Sequence, residues 1–250
     1  MINEEKVKEE FNRRASLHQD QNAVLDASNQ ENVKFSNIYR DFISKKVILK
    51  TLSLNKDSKV IDFGCGVGRV SKEIAPIVNK IIGLDVSDKM IEVAKQINSA
   101  SNIEYYTVDK KLTEIIGENN DFDLMFSYWV FQHISDLKIK ELMNEFNSII
   151  KRNGSIYIFE QIQRKVAVSM DLHIMRTEQE YIELFESCGY EYIGNKNLCR
   201  MPSYGLSLFN KIGINHSIIL WVCGLVESLT VNRKLEFLDY HTTCLEFRKK

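Results

Sequence analysis

The sequence predicts an α/β fold: a mostly parallel sheet covered by helices on both faces. Three observations carry that expectation. From residue 57 onward, short apolar strands alternate with helical stretches at the spacing of right-handed βαβ crossovers. A glycine-rich turn in "VIDFGCGVGR" (60–69) joins the first strand to a helix. The chain's 250 residues, 44% hydrophobic and 27% charged, suffice for one large globular core.

Taken in order, residues 5–50 read as helical, with Val7, Phe11 and Ala15 on one face and Ile38, Phe42, Ile43 and Val47 on another. "KVIDF" (59–63) is a short buried strand, and the helix after its glycine turn ends near Pro76. "KIIGLD" (80–85) is the second strand, and Ser87 caps a helix over 87–97. "IEYYTVD" (103–109) and the almost wholly apolar "FDLMFSYW" (122–129) are the third and fourth strands. A helix over "KIKELMNEFNSII", an Asn153–Gly154 turn and a fifth strand at 155–162 follow. Thr177 and Glu180 form a capping-box pair before a helix over 177–190, with Gly189 at its C-terminal end. Strands are expected at 191–198 and 239–249. The whole chain, 1–250, reads as a single domain. Residues 1–55 form an N-terminal helical lid, 56–200 and 237–250 the α/β core, and 203–236 an apolar helical insertion near the substrate entrance.

Bulk properties narrow the function. A net charge of −1 gives no electrostatic pull towards nucleic acid. Five cysteines without CxxC spacing argue against a disulfide framework and a structural zinc site. The charged start "MINEEKVKEEF" is unlike a secretory leader, so a cytoplasmic location is expected. The longest apolar run, 218–226, falls well short of the roughly 20 residues that span a bilayer. The insertion at 203–236 is instead a candidate acceptor cap, homodimer surface or interfacial helix.

A glycine turn between strand and helix lets a ligand approach the backbone closely, and the helix N-terminus favours an anionic group. Asp85, closing the second strand 17 residues after Gly68, suits a ribose diol. The frame Gly64-Cys65-Gly66-Val67-Gly68-Arg69 is GxGxG, with arginine where the dinucleotide fingerprint has its last glycine, which disfavours a nicotinamide cofactor. Cys65 is expected to fill space rather than act as a nucleophile.

Five blocks in register, "VIDFGCGVGR", "IIGLDVSDKMIEVAK", "YYTVD", "FDLMFSYWVFQHI" and "IIKRNGSIYIFE", resemble the class I S-adenosylmethionine-dependent methyltransferases over about residues 56–162. The resemblance implies a seven-stranded, doubly wound sheet with the last strand antiparallel, and S-adenosylmethionine as cofactor with S-adenosylhomocysteine as product. It implies that Asp62 and the loop from Gly64 through Cys65, Gly66 and Gly68 to Arg69 hold the methionine portion. Asp85 would bind the ribose, with Val86 and Met90 beside the adenine. Asp109 would face the adenine amino group and Lys110 would contribute backbone. Ser127 and Tyr128 would border the transferable methyl. Lys110-Lys111 departs from the small residue that many relatives carry there.

Because a sulfonium methyl is already electrophilic, the protein's task would be alignment of a nucleophile and exclusion of water, with no metal required. A hydroxyl acceptor also needs a general base. His133 is the leading candidate, with Tyr128, Glu160 and His173 as further catalytic residues; Trp129, Arg176 and Arg14 are candidates for gripping the acceptor. The first expectation is a small-molecule O-methyltransferase, with a sugar or sugar-nucleotide as one acceptor class. The alternatives are methylation of an amine or hydrophobic ring, and a non-catalytic cofactor-binding protein.

Overall fold

The computed structural model describes residues 2–25, 34–118, 121–163, 167–169, 172–199, 216–230 and 240–250. Helices α1 (Glu4–Leu17), α2 (Asn22–Leu25) and α3 (Lys34–Thr51) precede the sheet. Asn3 caps α1 by accepting from the Glu5 and Lys6 amides, satisfying donors that have no partner inside the helix. The α/β core then runs β1 (Lys59–Phe63), α4 (Arg69–Ile74), β2 (Lys80–Asp85), α5 (Asp88–Ile97), β3 (Ile103–Thr107), α6 (Leu112–Ile116), β4 (Phe122–Tyr128), α7 (Asp136–Ile149) and β5 (Ile150–Gln163). A short hairpin, β6 (Val168–Ser169) and β7 (Ile174–Met175), leads to α8 (Glu178–Glu186) and β8 (Tyr190–Cys199). Helix α9 (His216–Thr230) and strand β9 (Tyr240–Lys249) complete the described elements.

The main sheet has seven strands in the order β3-β2-β1-β4-β5-β9-β8. The pairs from β3 to β5 are parallel, and β9 is antiparallel to both β5 and β8. The doubly wound sheet with an antiparallel last strand is therefore present. Chain order reverses between β1 and β4, and in open α/β sheets ligands bind outside the carboxyl ends of the strands at that reversal.

Buried strands send successive side chains to opposite faces, so each needs apolar residues at every position. Ile61, Ile82 and Met125 pack against Ile139, Met143 and Phe146 of α7 and Phe185 of α8. Their neighbours Val60, Ile81, Leu124 and Phe126 pack on the other face, against Ile48 of α3 and Val70 and Ile74 of α4. The capping box at Thr177 and Glu180 forms as expected.

Three local expectations change. Asn153–Gly154 is a bulge inside β5 rather than a turn before it: pairing jumps from Phe122–Ile150 to Leu124–Ser155, and Asn153 takes φ 65°. The β6–β7 hairpin and α6, each too short to show a periodic pattern, were not expected. Of the insertion at 203–236, positions 203–215 and 231–236 lie outside the described residues. Its described part, α9, docks on α3 through Ile219 against Tyr39 and Ile43, while Ile218, Trp221, Val222, Leu225 and Leu229 are exposed. Among the described residues no helix is long and apolar enough to cross a membrane.

Candidate active site

The glycine loop bends because three of its residues are left-handed: Gly64, Gly66 and Gly68 have φ of 74°, 53° and 74°. At Gly64 a Cβ would lie 2.2 Å from Val130 Cγ2, and at Gly66 one would lie 2.4 Å from Val24 Cγ1. A Gly64→Ala substitution therefore combines a steric clash with a positive φ, and should cost about 2–3 kcal/mol. Thermal unfolding should show the loss, with Val130→Ala restoring part of it in the double variant; additive losses would mean that the two side chains do not meet.

The loop's amides turn inwards. Gly64 and Cys65 both donate to Leu84 O (2.7 and 3.0 Å), and Gly68 donates to Cys65 O (2.9 Å). Gly66 donates to Asp85 Oδ2 (2.9 Å), and the other carboxylate oxygen of Asp85 accepts from the Ser87 amide (2.9 Å). The glycines thus offer close approach, and Asp85 shapes the loop as well as facing the space above it.

That space is a cavity of about 870 Å³ at the carboxyl ends of β1 and β4. It lies near the upper end of the range for small-molecule sites. Asp62, Gly64, Cys65, Gly66, Arg69, Asp85 and Val86 line it from β1, the glycine loop and the end of β2. Asp109, Lys110 and Lys111 line the edge beyond β3. Tyr128, Trp129, Val130, Gln132 and His133 line it from β4 and the turn after it, together with Gln161 and His173. Helix α1 covers it with Val7, Phe11 and Arg14. That helix is tied at two points, Asn12 Oδ1 accepting from Ser87 Oγ (2.6 Å) and Glu4 Oε1 from Ser135 Oγ (3.0 Å).

Charge in the cavity follows from burial. Asp62 accepts from Ser71 Oγ (2.6 Å), and desolvation pushes its pKa up to about 7. Burial also raises Asp85 and lifts the Cys65 thiol well above its ordinary value, so the thiol stays protonated and inert. Two carboxylates facing one cavity, Asp62 buried and Asp85 half-buried, favour a ligand carrying cationic and hydroxyl groups. Arg40 of α3 also lines the cavity; its Nη1 donates to Leu25 O (2.9 Å), whereas its buried Nε has no hydrogen-bond partner among the described residues. That donor suits a carboxylate. S-adenosylmethionine carries all of these groups: a sulfonium and an ammonium, a ribose diol and a carboxylate.

His133 is mostly buried in the turn after β4. Its Nδ1 lies 2.7 Å from the carbonyl oxygen of Leu172, which can only accept, so Nδ1 carries the proton and Nε2 is the acceptor. Desolvation lowers its pKa to about 4, leaving a neutral imidazole near pH 7. The rings of Phe11 and His173 stand edge-on to it at 5.5 and 6.0 Å. Burial lowers His173 in the same direction. Tyr128 and Trp129 stack with ring centroids 5.1 Å apart.

Several expected site residues fall elsewhere. Glu160 is 0% exposed and absent from the cavity lining; its neighbour Gln161 lines the cavity instead, because a one-residue shift along a strand changes the face. Arg176 is 3% exposed and grips backbone carbonyls and Asp136, so it is not free to hold an acceptor. The Ser127 hydroxyl is buried on the wrong side of β4. Met90 packs with Ala15, Ala23 and Val67 between α5 and the N-terminal helices rather than lining the cavity. Gly68 serves as the left-handed N-cap of α4 and lies outside the lining. Arg69 lines the cavity, yet its guanidinium donates to Asp41 (3.2 Å) and Ser44 (2.7 Å), pinning α3 to the glycine loop. Arg14 lines the cavity while paired with Glu10 (2.8 Å). No described residue of α9 reaches the lining, since that helix sits on the outer side of α3, so the cap expectation fails for that part. The sequence reading missed Arg40 and Gln161. Arg40 sits in a helical pattern with no motif of its own, and Gln161 could have been found by strand alternation from Glu160.

Residues 60–154 match a family model described as a methyltransferase domain. The chain is 26% identical over 203 residues to a phosphoethanolamine N-methyltransferase 1 of Triticum aestivum, covering 77% of this chain and 40% of that protein. It is 28% identical over 105 residues to a ubiquinone biosynthesis O-methyltransferase of Pelagibacter ubique, covering 41% and 42% respectively. Among solved structures, Haemonchus contortus phosphoethanolamine N-methyltransferase 1, in complex with phosphoethanolamine and S-adenosylhomocysteine, shares the fold. Its TM-score is 0.63 at 15% identity, over 97% of this chain and 48% of that one. This chain spans less than half the length of each of these relatives. The reversed sheet and the glycine loop at its switch point are the fold of the class I, Rossmann-like methyltransferases, and the matched domain spans that loop. The chain is thus similar to S-adenosylmethionine-dependent methyltransferases over that domain, and shares their fold.

Proposed function

We propose that the chain transfers a methyl group from S-adenosylmethionine to a small-molecule acceptor, with an amine as the preferred nucleophile. The observation that carries this is the continuity of the cavity: one space runs from the carboxylates Asp62 and Asp85 to the imidazole of His133 and the amide of Gln161. When bound, the cofactor supplies an electrophilic methyl on a sulfonium.

Within that reading, Asp85 holds the ribose diol, Asp62 faces the methionine ammonium and Arg40 takes its carboxylate. Val86, Asp109 and Lys110 border the adenine. Tyr128 and Trp129 flank the reacting centre, α1 serves as the lid that excludes water, and His133 Nε2 accepts a hydrogen bond from the acceptor. The amine preference rests on basicity. An imidazole held near pKa 4 is a weak base, poorly suited to removing a proton from an alkyl hydroxyl. A neutral amine brings its own lone pair and needs only orientation. The N-methyltransferase named for the wheat relative supports the same choice. A hydroxyl acceptor is the second reading, favoured by the fixed tautomer that leaves Nε2 unprotonated and able to receive an O–H in place of the Gln132 amide 3.4 Å away.

The test is release of S-adenosylhomocysteine from the purified chain supplied with S-adenosylmethionine and pools of small amines or small hydroxyl compounds. The amine pool should give cofactor-dependent release that rises with pH as the amine loses its proton. Release only from the hydroxyl pool would select the second reading. Release from neither, despite cofactor binding, would remove catalysis from the proposal.

A further inference from the structure

The turn between β4 and α7 brings most of the acceptor end into the cavity, and its backbone is unusual. Trp129 has φ 57°, a left-handed conformation that is costly for a bulky side chain. Such strain persists only where the surroundings over-determine it. Here the Trp129 amide donates to Phe159 O (2.8 Å). The next two amides, of Val130 and Phe131, both donate to Glu160 Oε1 (2.9 and 2.8 Å). The carbonyls of Phe131 and Ile134 accept from Arg176 Nη1 (2.9 Å) and Nη2 (2.8 Å). Arg176 also holds Asp136, at the start of α7, through Nε (3.0 Å) and Nη2 (2.6 Å). Its own segment is anchored to β5 by the Gln163 amide donating to Arg176 O (3.0 Å).

We propose that Glu160 and Arg176 are positioning residues, which grip the amides and carbonyls of the 129–134 turn from behind and so fix Trp129 and His133 against the reacting centre. The proposal rests on the methyl-transfer reading of the cavity. Neither side chain lines that cavity, whereas Trp129, Val130, Gln132, His133 and Ile134 all do. A purely stabilising role fits poorly. Both charges are buried, and Glu160 Oε2 has no hydrogen-bond partner among the described residues. A buried carboxylate with an unpartnered oxygen is a weak contributor to stability compared with an apolar side chain of similar volume. What it supplies is one acceptor for two successive amides, which no apolar side chain can provide. Burial, which lifts Glu160 to about pKa 7, is consistent with a group kept there for geometry.

The test uses the full chain and its Arg176→Met, Arg176→Lys and Glu160→Gln variants. His133 is titrated by NMR, S-adenosylhomocysteine affinity is measured by calorimetry, and turnover is measured with an amine found in the acceptor screen. In the parent, His133 should titrate below pH 5. In Arg176→Met the turn loosens and water reaches the ring, so the titration should move up by about one pH unit or more, towards the ordinary histidine value. Turnover should drop about 10²-fold with KM for S-adenosylmethionine and affinity for the product changed less than threefold, the signature of lost alignment. Arg176→Lys, which keeps a donor, should recover part of both effects, and Glu160→Gln should lie between. A parent-like His133 titration and turnover in folded Arg176→Met would overturn the proposal, as would cofactor affinity falling in step with turnover. Should the variants fail to fold, amide exchange in the unsubstituted chain decides. Val130 and Phe131 should exchange at least 10³-fold slower than free peptide, and fast exchange would refute the clamp. A parent that does not bind S-adenosylhomocysteine would instead refute the methyl-transfer reading, while titration and exchange would still judge the clamp.

Discussion

Asp85→Ala should abolish measurable binding of S-adenosylhomocysteine, a loss of about 10³-fold or more in affinity. The carboxylate has two jobs. It accepts the Gly66 and Ser87 amides at 2.9 Å each, so it sets the loop that leaves space for the ligand. It also faces the cavity at the end of β2, where the ribose diol would lie. Hydrogen bonds to a charged group are worth about 1.5–3 kcal/mol each, so losing loop and ligand contacts together exceeds 4 kcal/mol, which is about 10³-fold. Asp85→Asn, which keeps one acceptor oxygen, should fall between. Isothermal calorimetry checks both. Affinity within threefold of the parent for Asp85→Ala would show that the ribose is held elsewhere.

His133→Ala should lower kcat about 10²-fold while leaving S-adenosylhomocysteine affinity nearly unchanged, because the ring follows β4 whereas Asp85 closes β2, two strands away in the sheet. The pH profile sharpens the expectation. A group whose folded pKa is about 4, below the ordinary histidine value, stays neutral down to pH 5, so protonation of His133 should cost activity only below that. In the pH range near 6.5 the profile should follow the acceptor instead, rising as an amine deprotonates. The same depression has a stability consequence with a definite sign. Below about pH 6.5 the unfolded chain takes up a proton on this histidine and the folded chain does not, so acid destabilises the protein until pH falls through 4. His133→Ala should remove that part of the acid sensitivity. Unchanged turnover in the variant would exclude His133 from the reaction.

The architecture was largely legible because its signals are local and repeated. Val60 to Phe63, Ile81 to Leu84 and Leu124 to Ser127 are runs too short for helices and too continuous for half-exposed strands, which points to a parallel sheet. The loop glycines were readable for the same reason: their left-handed backbone is incompatible with most side chains. What the strand pattern left open was which of its two faces meets the cavity. Glu160 and Gln161 are neighbours with opposite destinations, one under the β4 turn and the other in the cavity. Arg176 looked like a loop arginine ready for an anion, yet a tertiary fit to the carbonyls of Phe131 and Ile134 uses its donors. The direction of the loop amides was equally hidden, since their partner Leu84 O belongs to another strand.

The placement of β9 bears on how the chain reaches its native state. The strand lies between β5 and β8, so the sheet's second half has no continuous ladder until residues 240–249 are in place. A nascent polypeptide lacking them would expose the long flank of β5, an open template for pairing with other chains. Closing the sheet therefore carries an entropic loop penalty that a neighbouring hairpin would not incur.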